Sequence, residues 1–144
     1  MAARQVPRAQ EEDISMTEET DWDEVWALEQ QVIVRGVPLE LDEGTRALLL
    51  RTARQVAFSQ EDAEVALRAV STATPLLREI RRRIREGSHR MSYALDRSYR
   101  LRDAGDLAGA RKQMEDILAV EVVPLYREEA EIVLEKLAIL ERGR

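Results

Sequence analysis

The sequence predicts an all-α fold, a compact antiparallel array of about six helices. Three observations carry that prediction. Apolar residues recur at three- and four-residue spacing through nearly all of the chain after residue 20. The 144 residues include 6 Gly, 4 Pro and no Asn, and are rich in Ala, Leu, Glu and Arg, side chains that lose little rotamer freedom in a helix. Capping and breaking residues fall at intervals where helices would begin and end. The connections between them are short, which favours antiparallel neighbours.

Residues 1–19 hold four Glu and no sustained apolar period, and read as a disordered acidic leader. A single helical domain then spans 20–144. Its first helix is expected from Asp21, where Asp21 and Glu24 have capping-box spacing, with Trp22, Val25, Trp26, Leu28, Val32 and Ile33 at helical period. Gly36 closes that helix and Pro38 blocks its resumption. Asp42 caps the second helix, with an apolar face of Ala47, Leu48, Leu50, Ala53, Val56 and Ala57. Ser59 with Asp62 starts a short third helix bearing Ala63, Ala66, Leu67 and Val70. Thr74-Pro75 reads as the start of a fourth, a Thr cap followed by Pro at the first helical position. Its apolar line of Leu76, Leu77, Ile80, Ile84, Met91, Leu95 and Ser98 keeps phase through Gly87-Ser88, so one long helix is expected to about Ala104.

Gly105 ends that helix and Asp106 caps the fifth, with Leu107, Ala110, Met114, Ile117 and Leu118 on one face. Pro124 opens the last, carrying Leu125, Ala130, Val133, Leu134, Leu137 and Leu140. Ala119 to Val123 is the best strand candidate, but it is short and has Glu121 in its middle.

Composition removes several chemistries. With no Cys there is no disulfide, thiolate metal site or cysteine nucleophile, and a single His excludes a multi-histidine site. No stretch approaches the roughly 18 apolar residues of a membrane span, and no apolar region follows Arg4 and Arg8 as a secretory signal requires. A cytoplasmic location is expected. Net charge is −6, unevenly spread: residues 75–112 hold 11 basic and 5 acidic groups, while 1–40 hold 3 and 10. A basic centre between acidic ends suits internal pairing as readily as an external partner.

Four local patterns bear on function. Residues 99–114, from Tyr99 through Gly105-Asp106 to Met114, resemble the turn and second helix of a tetratricopeptide-type hairpin, although the 34-residue period does not recur and Ala94 replaces the aromatic expected early in the first helix. Arg78, Arg81, Arg82, Arg83, Arg85 and Arg90 form a cationic cluster, with Arg78, Arg81, Arg82 and Arg85 placed opposite Ile80 and Ile84. Such a face could hold phosphates, but Glu79 and Glu86 interrupt it, and Glu79–Arg83 and Glu86–Arg90 have favourable ion-pair spacing. Trp22 and Trp26 share a helix face, as core anchors or as an interface patch. Glu128, Glu131 and Glu135 give carboxylate pairs, but a di-iron bundle also needs Glu-x-x-His repeats, which His89 alone cannot supply. Ser88 and His89 are adjacent and poorly placed as nucleophile and base.

Four segments, residues 21–25 (DWDEV), 76–85 (LLREIRRRIR), 101–107 (LRDAGDL) and 120–127 (VEVVPLYR), resemble the DUSAM domain. The resemblance covers about 120 residues. It implies a soluble protein from a GC-rich myxobacterial genome, which suits 20 Arg against 2 Lys. It carries over no catalytic motif.

The sequence therefore points to a non-enzymatic protein–protein interaction or regulatory module, with a protein partner or a second copy of itself. Candidate partner-binding residues are Arg78, Arg81, Arg82, Arg85, Trp22, Trp26 and Tyr99. No catalytic, cofactor-binding or metal-binding residue is assigned, and no membrane contact is expected. The alternative, less favoured, is a nucleic-acid-associated regulator using the arginine face of residues 78–90.

Overall fold

A helix of 34 residues, about 50 Å long at 1.5 Å per residue, runs through the centre of the chain and carries the other elements on its two halves. The computed structural model describes residues 21–143; the expected leader, 1–19, lies outside them. In chain order the elements are α1 (Asp23–Glu29), continued by a π-helical turn (Gln30–Val34), α2 (Glu43–Gln55), α3 (Gln60–Ala66), α4 (Val70–Asp103), α5 (Leu107–Val120) and α6 (Pro124–Arg142). Among the described residues there is no strand; residues 121–123 simply link α5 to α6.

The apolar line of α4 serves two cores. Its first half, Ala73, Leu76, Leu77, Ile80 and Ile84, packs with Val25, Leu39, Leu49, Ala53, Val56, Ala63 and Leu67 of the N-terminal elements, with Val123 just before α6 and with Tyr126 in its first turn. Its second half, with Met91 and Ala94, packs with Leu107, Ala110, Met114 and Ile117 of α5 and with Ala130, Val133 and Leu137 of α6. The expected hairpin forms between α4 and α5: the buried Ser98 hydroxyl donates to the Ala110 carbonyl at 3.0 Å, a backbone approach that the small Ala110 permits.

Local chemistry sets most helix ends. The Asp42, Ser59 and Asp106 side chains accept backbone N–H bonds from Thr45, Asp62 and Gly109 at 2.8, 3.0 and 2.8 Å. Gly36 (φ +76°) and Gly105 (φ +89°) turn the chain out of α1 and α4, and Asp106 N–H closes back onto the Leu101 carbonyl at 2.8 Å.

Several boundaries differ from the sequence reading. At α1 there is no capping box: Trp22 is the N-cap residue, Asp21 Oδ1 accepts from Asp23 N–H at 3.0 Å, and Glu24 reaches Arg51 instead. Thr74-Pro75 does not start α4, which begins at Val70. Proline in the second turn removes one backbone bond, and the hydroxyls of Thr72, donating to Ala66 and Ala69 carbonyls, and of Thr74, donating to the Val70 carbonyl, reinforce that turn. Burial of Ala73 in the first core draws this turn into the helix. Val70 is thus the exposed first residue of α4 and not part of the third helix's apolar face.

The buried face of α2 is Leu49, Thr52 and Ala53, rotated from the expected one; Ala47 is exposed. Ala57 is exposed as well. It lies beyond the end of α2 in the left-handed region, φ +78°, where Phe58 N–H bonds the Ala53 carbonyl at 2.9 Å. Leu140, expected on the packed face of the last helix, is also exposed.

An L-residue in the left-handed region costs about 1–2 kcal/mol, of which the extra freedom of unfolded glycine offsets part. Ala57→Gly is therefore expected to stabilise the protein by about 0.5–1 kcal/mol. Urea midpoints of the two proteins check this; an unchanged or lower midpoint contradicts it.

Candidate functional site

The arginine cluster of α4 is an internally paired lattice. Arg81 does not lie on the outer face: its Nε donates to Glu29 Oε1 at 2.8 Å, with both side chains largely buried, and Arg85 reaches the other oxygen of Glu29 at 3.4 Å. Glu29, at the end of α1, thereby ties α1 to α4. Arg82 grips Glu79 through Nε at 2.8 Å and Nη2 at 2.5 Å, and turns Nη1 to Glu86 at 2.8 Å. Arg83 donates to Glu79 at 3.0 Å and to the Val56 carbonyl at 2.7 Å, with its guanidinium 4.0 Å from the Phe58 ring centroid. The Glu79–Arg83 pair forms as its spacing predicted. The Glu86–Arg90 pair does not: Glu86 takes Arg82, and Arg90 reaches across to Glu121 at 3.1 Å. Arg78 makes no ion pair among the described residues.

These pairs set the local electrostatics. Hydrogen bonds from Arg82 and then Arg83 hold the Glu79 carboxyl below the usual range in spite of its partial burial, and Glu79 in turn raises Arg82. A phosphate arriving on this face would compete with carboxylates that already occupy the guanidinium donors.

The two tryptophans part company. Trp22, preceding the helix, turns inward: its Nε1–H donates to Gln55 Oε1 at 2.8 Å, and its ring meets Tyr126 edge-on at 6.0 Å and 76°. Trp26, one turn later, is 51% exposed. It borders an open groove of about 480 Å³ with Leu28, Gln31, Arg35 and Leu48. Tyr99 is exposed near the end of α4, with the Arg102 guanidinium 4.8 Å from its ring centroid.

One cluster was not anticipated from the sequence: a polar layer between the two cores. The fully buried Glu121 side chain accepts from Arg90 on Oε1 and, on Oε2, from Val122 N–H at 3.1 Å and Val123 N–H at 2.9 Å. Arg127 Nη1 donates to the Leu118 and Glu121 carbonyls, both at 2.8 Å. The Tyr126 hydroxyl donates to the Ile84 carbonyl at 3.1 Å, and burial raises its pKa. Opposite lies Gly87, where a Cβ would stand 2.6 Å from Tyr126 Cδ2 and 2.9 Å from Glu121 Oε1. The signals were present: a lone Glu in an apolar run before Pro124, and a Gly kept in phase inside a helix.

His89 is exposed and Ser88 is partly buried. Among the described residues no three acidic or histidine side chains gather to hold a metal ion, and no helix is long and apolar enough to cross a membrane.

Two outcomes follow. Gly87→Ala is expected to cost about 1–3 kcal/mol, since the added methyl meets a buried ring and a buried carboxylate; denaturant midpoints check it, and Ser92→Ala, on the exposed side of α4, serves as the neutral control. Because the folded pKa of Glu79 lies below its reference value of 4.5, its contribution is present above that value and is lost as pH falls through the lowered one. The loss is expected to be below about 1 kcal/mol for so exposed a network. Melting temperatures between pH 5 and pH 3 should fall less for Glu79→Gln than for the unchanged chain.

Over residues 20–137 the sequence matches the model of the family described as Protein of unknown function (DUF2379). No curated protein and no solved structure matches the chain. The matched segment takes in α1 to α5, both cores, the polar layer between them and α6 as far as Leu137, its last buried residue. The chain belongs to the DUF2379 family.

Proposed function

We propose that this chain is a non-enzymatic, cytoplasmic protein-binding module of adaptor or regulatory type, and that its resemblance to the DUSAM domain places it in that myxobacterial group. The observation that carries the reading is Trp26, half in water on the wall of a groove it shares with Leu28 and Leu48. Tryptophan is among the side chains most enriched where protein partners anchor. The arginine face supports the same choice over nucleic acid. Arg81, Arg82, Arg83, Arg85 and Arg90 are committed to carboxylates, and phosphate contact would have to displace them. Arg78 and Tyr99 are secondary contacts in this reading, whereas Trp22 is engaged inside the fold.

The test is capture from native lysate on the immobilised full chain, with and without nuclease, read by mass spectrometry. A protein retained after nuclease, and reduced about tenfold or more by Trp26→Ala, is the expected result. Enrichment that disappears with nuclease, together with a mobility shift of nucleic acid at low salt that Arg81/Arg82/Arg83→Glu abolishes, would transfer the function to the nucleic-acid alternative.

A further inference from the structure

The outer face of α6 combines exposed apolar side chains with uncompensated charge. The helix buries Tyr126, Ala130, Val133 and Leu137. On its opposite side Ile132 is 45% and Ile139 59% exposed, seven residues and two turns apart, so they stand one above the other. Glu128, Glu129, Glu131 and Glu135 surround them.

The pairing of these carboxylates separates α6 from α4 and α5, the helices it packs with in the second core. Within α4 and α5 every acidic residue has a cation: Glu79, Glu86, Asp96, Asp103, Glu115 and Asp116 all pair with Arg or Lys. On α6 Glu141 pairs with Arg111, whereas Glu128, Glu129, Glu131 and Glu135 have no ion pair among the described residues. Partial burial and the neighbouring Glu128 charge push the Glu129 carboxyl above its ordinary range. Lys136 is the one cation among residues 128–140.

We propose that this face of α6 is a docking surface for a basic amphipathic helix of a partner protein. Apolar side chains at i and i+7 of the incoming helix would seat on Ile132 and Ile139, and its flanking Lys or Arg would meet the four glutamates. A second copy of this chain is the poorer occupant. Two α6 helices would bring Glu128 and Glu135 of one against those of the other, and most of the arginines on a second copy's α4 are held by their own carboxylates. The inference rests on the reading of the chain as a protein-binding module, and assigns it a second surface apart from the Trp26 groove.

The probe is a fluorescently labelled amphipathic peptide of Leu and Lys, with a Leu and Glu peptide of the same pattern as control, titrated with the full chain at low salt and read by anisotropy. The Leu/Lys peptide is expected to bind and the control not to. Ile132→Ser/Ile139→Ser, which leaves the charge unchanged and alters only exposed side chains, should weaken binding about tenfold or more. Glu128→Gln/Glu135→Gln should weaken it and flatten its salt dependence, and Trp26→Ala should leave it intact. Absence of binding, or binding indifferent to the isoleucines, overturns the proposal. So does a concentration-dependent dimer in sedimentation that Ile139→Ser dissolves, which would give the face to a second copy. A lysate partner still captured through Trp26 in any of these cases leaves the module reading standing.

Discussion

The carboxylate of Glu121 sits where the two cores meet, and the direction of everything beyond α5 depends on it. A buried carboxylate costs several kcal/mol unless its oxygens are satisfied. Here one oxygen takes the Arg90 guanidinium and the other takes two consecutive N–H groups of the linker into α6. The same group thereby neutralises a cation on α4 and caps the chain entering α6. Arg127 binds the carbonyls that the end of α5 leaves open. With the linker held in this way Tyr126 reaches back across Gly87 to the Ile84 carbonyl and to Trp22, so the first turn of α6 belongs to the N-terminal core while the rest of that helix belongs to the other.

α4 is the element both cores share. Its N-terminal half is fastened sideways by Glu29, through Arg81 and Arg85, and by Arg83 through the Val56 carbonyl and the Phe58 ring. The exposed pairs within α4 itself, Arg82 with Glu79 and Glu86, contribute little each. The cross-element pairs matter more because they connect separate helices and are better shielded from water. The cationic cluster thus works mainly as internal fastening.

Features governed by neighbours three or four residues away were legible in the sequence. Asp42, Ser59 and Asp106 cap as their spacing says, Gly36 and Gly105 take the left-handed conformation, and the apolar line of α4 runs unbroken through Gly87. Features governed by distant neighbours were not. Leu48-Leu49-Leu50 offers periodicity no preferred face, and the packing of α2 on α4 selects Leu49. Val70 to Thr74 becomes helix because Ala73 is buried, against the local proline signal. The arginines were visible as a cluster, but Glu29 lies 52 residues from Arg81 and Glu121 lies 31 from Arg90, separations no local pattern reports. Trp22 and Trp26 look equivalent in sequence; a glutamine on α2 and a tyrosine on α6 turn one of them inward.

The contact at Gly87 has a geometric consequence. There backbone meets an aromatic ring with no side chain between them, so the angle between the two ends of the molecule is fixed by hard van der Waals surfaces and not by adjustable rotamers. The 34-residue helix continues to either side of this contact. Any body bound at the α1 end and any body bound along α6 would therefore stand at a set spacing and a set bearing toward one another.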